Sequence, residues 1–207
     1  MRENDPNQNS SRRDFLRGSS VAAATAVLSQ SAKAGIEEAN AEALLQQELP
    51  VSAGTVKVTL QVNGKPMETE IEPRSTLLDV LRHRLDVTGP KRVCDRASCG
   101  ACTVMLNGQT VYSCTSLAIA AQGKEIRTLE SFETGPNSVP HAFHQNDGLM
   151  CGYCTPGFVT ACQALLEKNP NPTLEEVRKG LDGNICRCGT YVGVVKAALE
   201  AAKAIKV

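Results

Sequence analysis

Sequence periodicity predicts an α+β chain, a small strand-and-helix module followed by an all-α bundle. Three observations predict it. Apolar and polar residues alternate from Val56 to Val62, and Asn63-Gly64 follows as a hairpin turn signal. A second Asn-Gly pair, Asn107-Gly108, separates two more short strand-like runs. Beyond residue 140 the apolar spacing becomes helical, after a stretch punctuated by Gly135, Pro136 and Pro140.

The first residues read as an address. Ser11-Arg12-Arg13-Asp14-Phe15-Leu16-Arg17 is followed by a modestly apolar run, Gly18 to Leu28, and then by Ala32-Lys33-Ala34. A basic region, a short apolar region and a small-x-small site form a secretory signal. The apolar run is too short and too rich in Ala and Ser to span a bilayer. Paired arginines ahead of Phe15-Leu16 resemble a bacterial twin-arginine signal, a route for chains that have already folded. Residues 1–34 are therefore expected to be removed, with the cut after Ala34, leaving the chain in the periplasm. Residues 35–54, rich in Glu, Ala and Gln, are expected to be a linker with little core.

Residues 55–132 should form the mixed module. Val56, Val58, Leu60 and Val62 share one face of a half-buried strand, and Met67 to Ile71 supplies its return. Thr76 caps a helix with Asp79 in its first turn and Leu77, Leu78, Leu81 and Leu85 as its apolar stripe, expected to end by Gly89-Pro90. A cysteine-bearing loop, Val93 to Cys102, leads into strands at Thr103–Leu106 and Thr110–Ser113, with a last strand near Glu125–Leu129. Residues 133–207 should open with a linker, Glu133 to Pro140. Helices are then expected over His141–Asp147, Pro156–Lys168, Leu174–Asp182 and Val192–Ile205, the third with a Thr173/Glu176 capping box.

Composition excludes several function classes. Lys+Arg and Asp+Glu are both 22, so no basic footprint for nucleic acid is present. Trp is absent and aromatics are 3%, which leaves no stacking surface for bases or sugars. The nine cysteines are the outlier, and none precedes Cys94. Cysteines used only for packing would be scattered.

Cys94, Cys99, Cys102 and Cys114 follow the Cys-x4-Cys-x2-Cys…Cys spacing of plant-type 2Fe–2S ferredoxins. Four thiolates must converge on a small anionic core, and Ala97, Ser98, Gly100 and Ala101 let the backbone come close. The second group is Cys151-Gly152-Tyr153-Cys154, then thirty-one residues, then Cys186-Arg187-Cys188. Zinc would also accept two sets of four thiolates, although Cys-x4-Cys-Gly-x-Cys is not a usual zinc spacing. Disulfides suit an exported chain, but cysteines three residues apart rarely pair structurally. A Rieske centre needs two His ligands, and His83, His141 and His144 lie away from the cysteine loops. Cys162, on a helix among Phe158, Val159, Leu165 and Leu166, reads as buried packing.

The full constellation, Cys94-x4-Cys99-Gly100-x-Cys102-x11-Cys114 with Cys151-Gly152-Tyr153-Cys154-Thr155-Pro156-Gly157-x28-Cys186-Arg187-Cys188-Gly189, resembles the small iron–sulfur subunit of the xanthine oxidase family of molybdenum hydroxylases. With the twin-arginine signal it is most similar to the subunit of periplasmic aldehyde oxidoreductases. The resemblance runs from about Val56 to Ala202. It implies a β-grasp ferredoxin-like domain holding one 2Fe–2S cluster through Cys94, Cys99, Cys102 and Cys114. It further implies a four-helix bundle holding a second through Cys151, Cys154, Cys186 and Cys188. A large partner would carry the molybdopterin and the catalytic residues, and the outgoing acceptor would often be an FAD subunit. The chain would then pass electrons one at a time from molybdenum, where an aldehyde or N-heterocycle is oxidised, through both clusters. A free-standing electron carrier is the competing reading, though a carrier needs only one cluster. The family usually has Gln before the Cys-Gly-x-Cys motif, a residue associated with the pterin; here it is Met150.

Overall fold

The computed structural model describes residues 54–204. The signal segment, its arginines Arg12 and Arg13, the linker assigned to 35–54 except its last residue, and the final helical residue Ile205 lie outside them.

β1 (Val56–Val62) and β2 (Lys65–Ile71) form the expected hairpin, with Val62 opposite Lys65. Asn63 and Gly64 both adopt positive φ, 52° and 76°, as the tight turn between right-twisted strands requires. β3 (Thr103–Leu106) and β4 (Gln109–Tyr112) form the second hairpin about Asn107 and Gly108. β5 (Glu125–Arg127) pairs parallel with β1 and antiparallel with β3. The sheet order is therefore β2-β1-β5-β3-β4, and β5 joins two hairpins that are far apart in sequence.

Helix α1 (Leu77–His83) buries Leu77, Leu78, Val80 and Leu81 against the sheet. Thr76 caps it, its Oγ1 accepting from Asp79 N at 3.1 Å. The helix stops short of the expected Gly89. Arg84 N and Leu85 N both turn back to Val80 O, and Asp86 takes φ 55°. Arg82 then ties the following loop down by donating to Thr88 O (2.7 Å) and Pro90 O (2.9 Å). Leu85 stays buried although it lies outside the helix.

Four more helices follow: α2 (Val139–Gln145), α3 (Thr155–Lys168), α4 (Leu174–Gly180) and α5 (Tyr191–Ala204). α2 begins inside the segment expected to be linker. Ser138 caps it and Pro140 sits in its first turn, where the missing N–H costs nothing; this proline starts a helix rather than marking a loop. The Thr173/Glu176 capping box forms as expected. Phe143 and Phe158 are fully buried among the helices, each contributing roughly 1.5–3 kcal/mol by apolar burial.

Sheet and helices pack on each other. α3 lies against β3 and β4, and Met105 of β3 is part of the helical core. Arg127 of β5 makes a bidentate pair with Glu167 of α3, both bonds 3.0 Å, and its guanidinium lies 5.3 Å from the Phe132 ring centroid.

Candidate metal centres

The first four cysteines come together at one end of the sheet. Cys94 and Cys99 sit on the loop between α1 and β3, Cys102 enters β3, and Cys114 follows β4. Their thiols are neighbours in two pairs, Cys94 with Cys99 and Cys102 with Cys114. The loop needs an unusual backbone: Asp95, Ala97 and Gly100 all have positive φ, at 59°, 55° and 71°. That path turns amides toward sulfur. Ala97 N donates to Cys114 Sγ and Ser98 N to Cys94 Sγ, both at 3.3 Å. Burial raises the Cys94 thiol, but the amides of Arg96, Ser98 and Cys99 and the Cys99 thiol outweigh it and hold it at about 7. Burial, with the Cys114 thiol alongside, pushes Cys102 up to about 11. Arg92 anchors the loop through Asp79 and Asp95, and Tyr153 Oη donates to the Arg92 carbonyl at 3.2 Å.

The second four cysteines gather among helix ends. Cys154 is the N-cap residue of α3, whose first turn receives no side-chain cap bond. Cys186 and Cys188 lie on the turn before α5. The thiols again form two pairs, Cys154 with Cys186 and Cys151 with Cys188. Thr190, just ahead of α5, serves Cys186 twice, its Oγ1 3.1 Å and its N 3.5 Å from Sγ. Burial raises the Cys186 thiol, yet the Thr190 hydroxyl and amide hold it at about 7. Burial and the neighbouring Cys186 push Cys154 up to about 12. Helix N-termini favour negative charge, so α3 and α5 both suit an anionic group here. Thr155 Oγ1, beside Cys154, is a buried hydroxyl with no partner among the described residues.

Both sites fit a dinuclear cluster better than a single ion. A 2Fe–2S cluster takes two thiolates on each iron, and each site presents two thiol pairs beside amide donors. Four-coordinate zinc would gather its ligands about one point. Among the described residues no three His, Cys, Asp or Glu side chains do so. Cys162 is fully buried in the helical core, and burial alone pushes its thiol up to about 12. His83 and His144 are exposed and belong to neither site.

The two sites share a hydrogen-bonded seam. Ile185 N donates to Cys99 O at 2.9 Å, Asn184 Nδ2 to Gly100 O at 2.9 Å, and Tyr112 Oη to Gly183 O at 3.0 Å. A Cβ on Gly157 would overlap Gly100 O and reach within 3.0 Å of Ala101 Cα. The roles of Tyr112, Asn184 and Thr190 were not legible from cysteine spacing. The only available signal was that Asn184 sits beside Gly183 and two residues before Cys186.

Around the second site several apolar side chains are exposed beside Arg187. Cys151 and Cys188 are exposed, as are Leu149, Tyr153, Ile185 and Val192, and Met150 is 72% exposed. Among the described residues no helix is long and apolar enough to cross a membrane.

Known proteins place this arrangement in a family. Residues 60–129 match the model of the 2Fe-2S iron-sulfur cluster binding domain, and residues 128–199 that of the [2Fe-2S] binding domain. Residues 9–29 match the twin-arginine translocation pathway signal sequence. The chain is 36% identical to the aldehyde oxidoreductase iron-sulfur-binding subunit PaoA of Escherichia coli K12, over 94% of this chain and 89% of that one. It is 41% identical to the nicotine 6-hydroxylase small subunit of Paenarthrobacter nicotinovorans, over 73% and 93%. The solved quinoline 2-oxidoreductase of Pseudomonas putida 86 superposes with a TM-score of 0.70 at 33% identity, covering 74% of this chain and 98% of the matched chain. The chain belongs to the iron–sulfur subunits of the xanthine oxidase family of molybdenum hydroxylases, with a β-grasp domain and a helical domain, two 2Fe–2S clusters and a twin-arginine signal for export to the periplasm.

Proposed function

We propose that this chain is the electron-transfer subunit of a periplasmic molybdenum hydroxylase that oxidises an aldehyde or an N-heterocycle. In this reading Cys94, Cys99, Cys102 and Cys114 ligate one cluster, and Cys151, Cys154, Cys186 and Cys188 the other. The domain limits are those expected above, 55–132 and 133–207. A 2Fe–2S cluster at each site takes up and releases one electron at a time. The chain's residues hold both clusters, supply amide and hydroxyl donors to the sulfurs, and keep the two sites in contact.

The observation that carries the proposal is the bond from Ile185 N to Cys99 O. It leaves only covalent bonds and one hydrogen bond between a ligand of one site and Cys186 of the other. The exposed cysteines and apolar side chains around Cys151 and Cys188 support a large molybdopterin-binding partner on that side. Cys94 and its loop then face the outgoing acceptor, an FAD subunit or another periplasmic carrier. Met150 stands on the partner's side and offers a thioether where an amide could hydrogen-bond.

Purification from the native host tests the reading. The chain should co-elute with a molybdenum subunit and show two distinct 2Fe–2S signals by electron paramagnetic resonance. Cys102→Ser should remove one signal and Cys188→Ser the other. A stable monomer without molybdenum would overturn the subunit assignment. A colourless zinc protein without iron or labile sulfide would overturn electron transfer altogether.

A further inference from the structure

Asn184 is a second-site residue whose side chain serves the first site. It is 6% exposed and stands two residues before Cys186. Its Nδ2 donates to the carbonyl of Gly100, between Cys99 and Cys102. Thr103 holds the same carbonyl from the other side, with its Oγ1 at 2.6 Å and its N at 3.1 Å. Three donors thus converge on one oxygen that has two lone pairs.

That oxygen fixes a whole peptide plane. In a trans peptide the C=O of Gly100 and the N–H of Ala101 point in opposite directions. With the carbonyl fastened by Asn184 and Thr103, the Ala101 amide is held on the opposite side of the plane, where it is the foremost influence countering the burial that raises the Cys99 thiol. A flipped plane would turn the carbonyl dipole on the sulfurs and withdraw that donor. Gly100 has no Cβ to restrict ψ, the torsion that turns this plane, so the loop's own preference does not hold it. The backbones are also too close for slack: a Cβ on Gly100 would lie 2.5 Å from Asn184 Nδ2 and from Gly183 O.

We propose that Asn184 is a positioning residue that, from the second site, orients the Gly100–Ala101 peptide of the first and so sets the electronic environment of the Cys99 sulfur. This rests on Cys99 and Cys102 being first-site ligands. Hydrogen bonds to ligand sulfur are one of the protein's means of setting cluster potential, and each one lost favours the oxidised form. Asn184 therefore makes the first site's potential depend on a side chain anchored in the second.

The test is a potentiometric titration followed by electron paramagnetic resonance, on the chain purified with its native partners. Asn184→Ala should shift the first site's midpoint to more negative values and leave the second site's midpoint unchanged. Thr103→Val, which removes the opposite hydroxyl at nearly constant volume, should shift the same midpoint in the same direction. It decides the question if Asn184→Ala fails to load. First-site midpoints at the wild-type value in the loaded variants overturn the proposal, as does an equal shift at both sites, which would make Asn184 a scaffold residue only. Cys102→Ser in the same complex checks the ligand reading separately: if it removes neither signal, that reading fails whatever the asparagine variant does.

Discussion

Gly157→Ala should destabilise the protein, although in an ordinary helix the same change stabilises. Gly157 lies in the first turn of α3, where Ala would normally gain about 1 kcal/mol over Gly. Here its Cβ would overlap a backbone oxygen, Gly100 O, and come within 3.1 Å of Asn184 Nδ2. Neither neighbour is the free end of a flexible chain, so the backbones must part. Overpacking of this kind costs about 1–3 kcal/mol. Stretching the Asn184–Gly100 hydrogen bond adds about 1 kcal/mol, toward the low end because Thr103 still satisfies the carbonyl. The net loss is about 2 kcal/mol, or about 4–8 °C in Tm for a chain of this size. Scanning calorimetry at one scan rate measures it, with Gly180→Ala as the control. The nearest atoms to a Cβ at Gly180 belong to the Leu165 side chain, at 2.9 Å, which can rotate away. That variant should stay within about 0.5 kcal/mol of wild type. A Gly157→Ala protein as stable as wild type would refute the close approach of the two loops.

Three further outcomes are expected. Cys162→Ala should keep all of its iron and both resonance signals, losing only about 1–2 kcal/mol by denaturant unfolding, as expected for trimming a buried sulfur; loss of either cluster would make Cys162 a ligand. Burial alone would raise the Glu167 carboxyl, but Arg127 and Gln163 hold it below the usual carboxylate range. A lowered folded-state pKa contributes stability above the unfolded value, about 4.3, that is lost as pH falls through the folded one. Glu167→Gln should therefore cost about 0.5–1 kcal/mol at neutral pH, a figure kept small by solvent screening, and the deficit should shrink as pH falls through the folded-state value. Arg12→Lys with Arg13→Lys should hold the protein in the cytoplasm, as cell fractionation would show; normal periplasmic delivery would refute the signal.

Local chemistry was the legible part of the sequence. Asn63-Gly64 and Asn107-Gly108 announce their hairpins because few residues tolerate those φ values, and Thr76 and Thr173 cap the helices they precede. The cysteine spacings announce the sites because a cluster constrains the chain on either side of it. Long-range features were not legible. The three residues of β5 carry no pattern that says they will lie between β1 and β3. Pro140 reads equally as a loop residue or as the first turn of a helix until Ser138 caps it. The seam between the sites depends on a side chain and a backbone carbonyl 84 residues apart, Asn184 and Gly100, and no periodicity connects them.

The two sites hold negative charge by different constructions. Around Cys186 the donors are the hydroxyl and amide of Thr190, which leads directly into the fourteen-residue helix α5. Around Cys94 and Cys99 they belong to a short loop held open by Asp95, Ala97 and Gly100 at positive φ. A helix resists local change, whereas one substitution can re-aim a loop peptide. Redox tuning among related chains should therefore concentrate in residues 95–101 and in the side chains that grip them, while the helical site stays nearly constant. On the proposed route the first site lies toward the acceptor, so such a subunit would be matched to a new electron acceptor without rebuilding its second site.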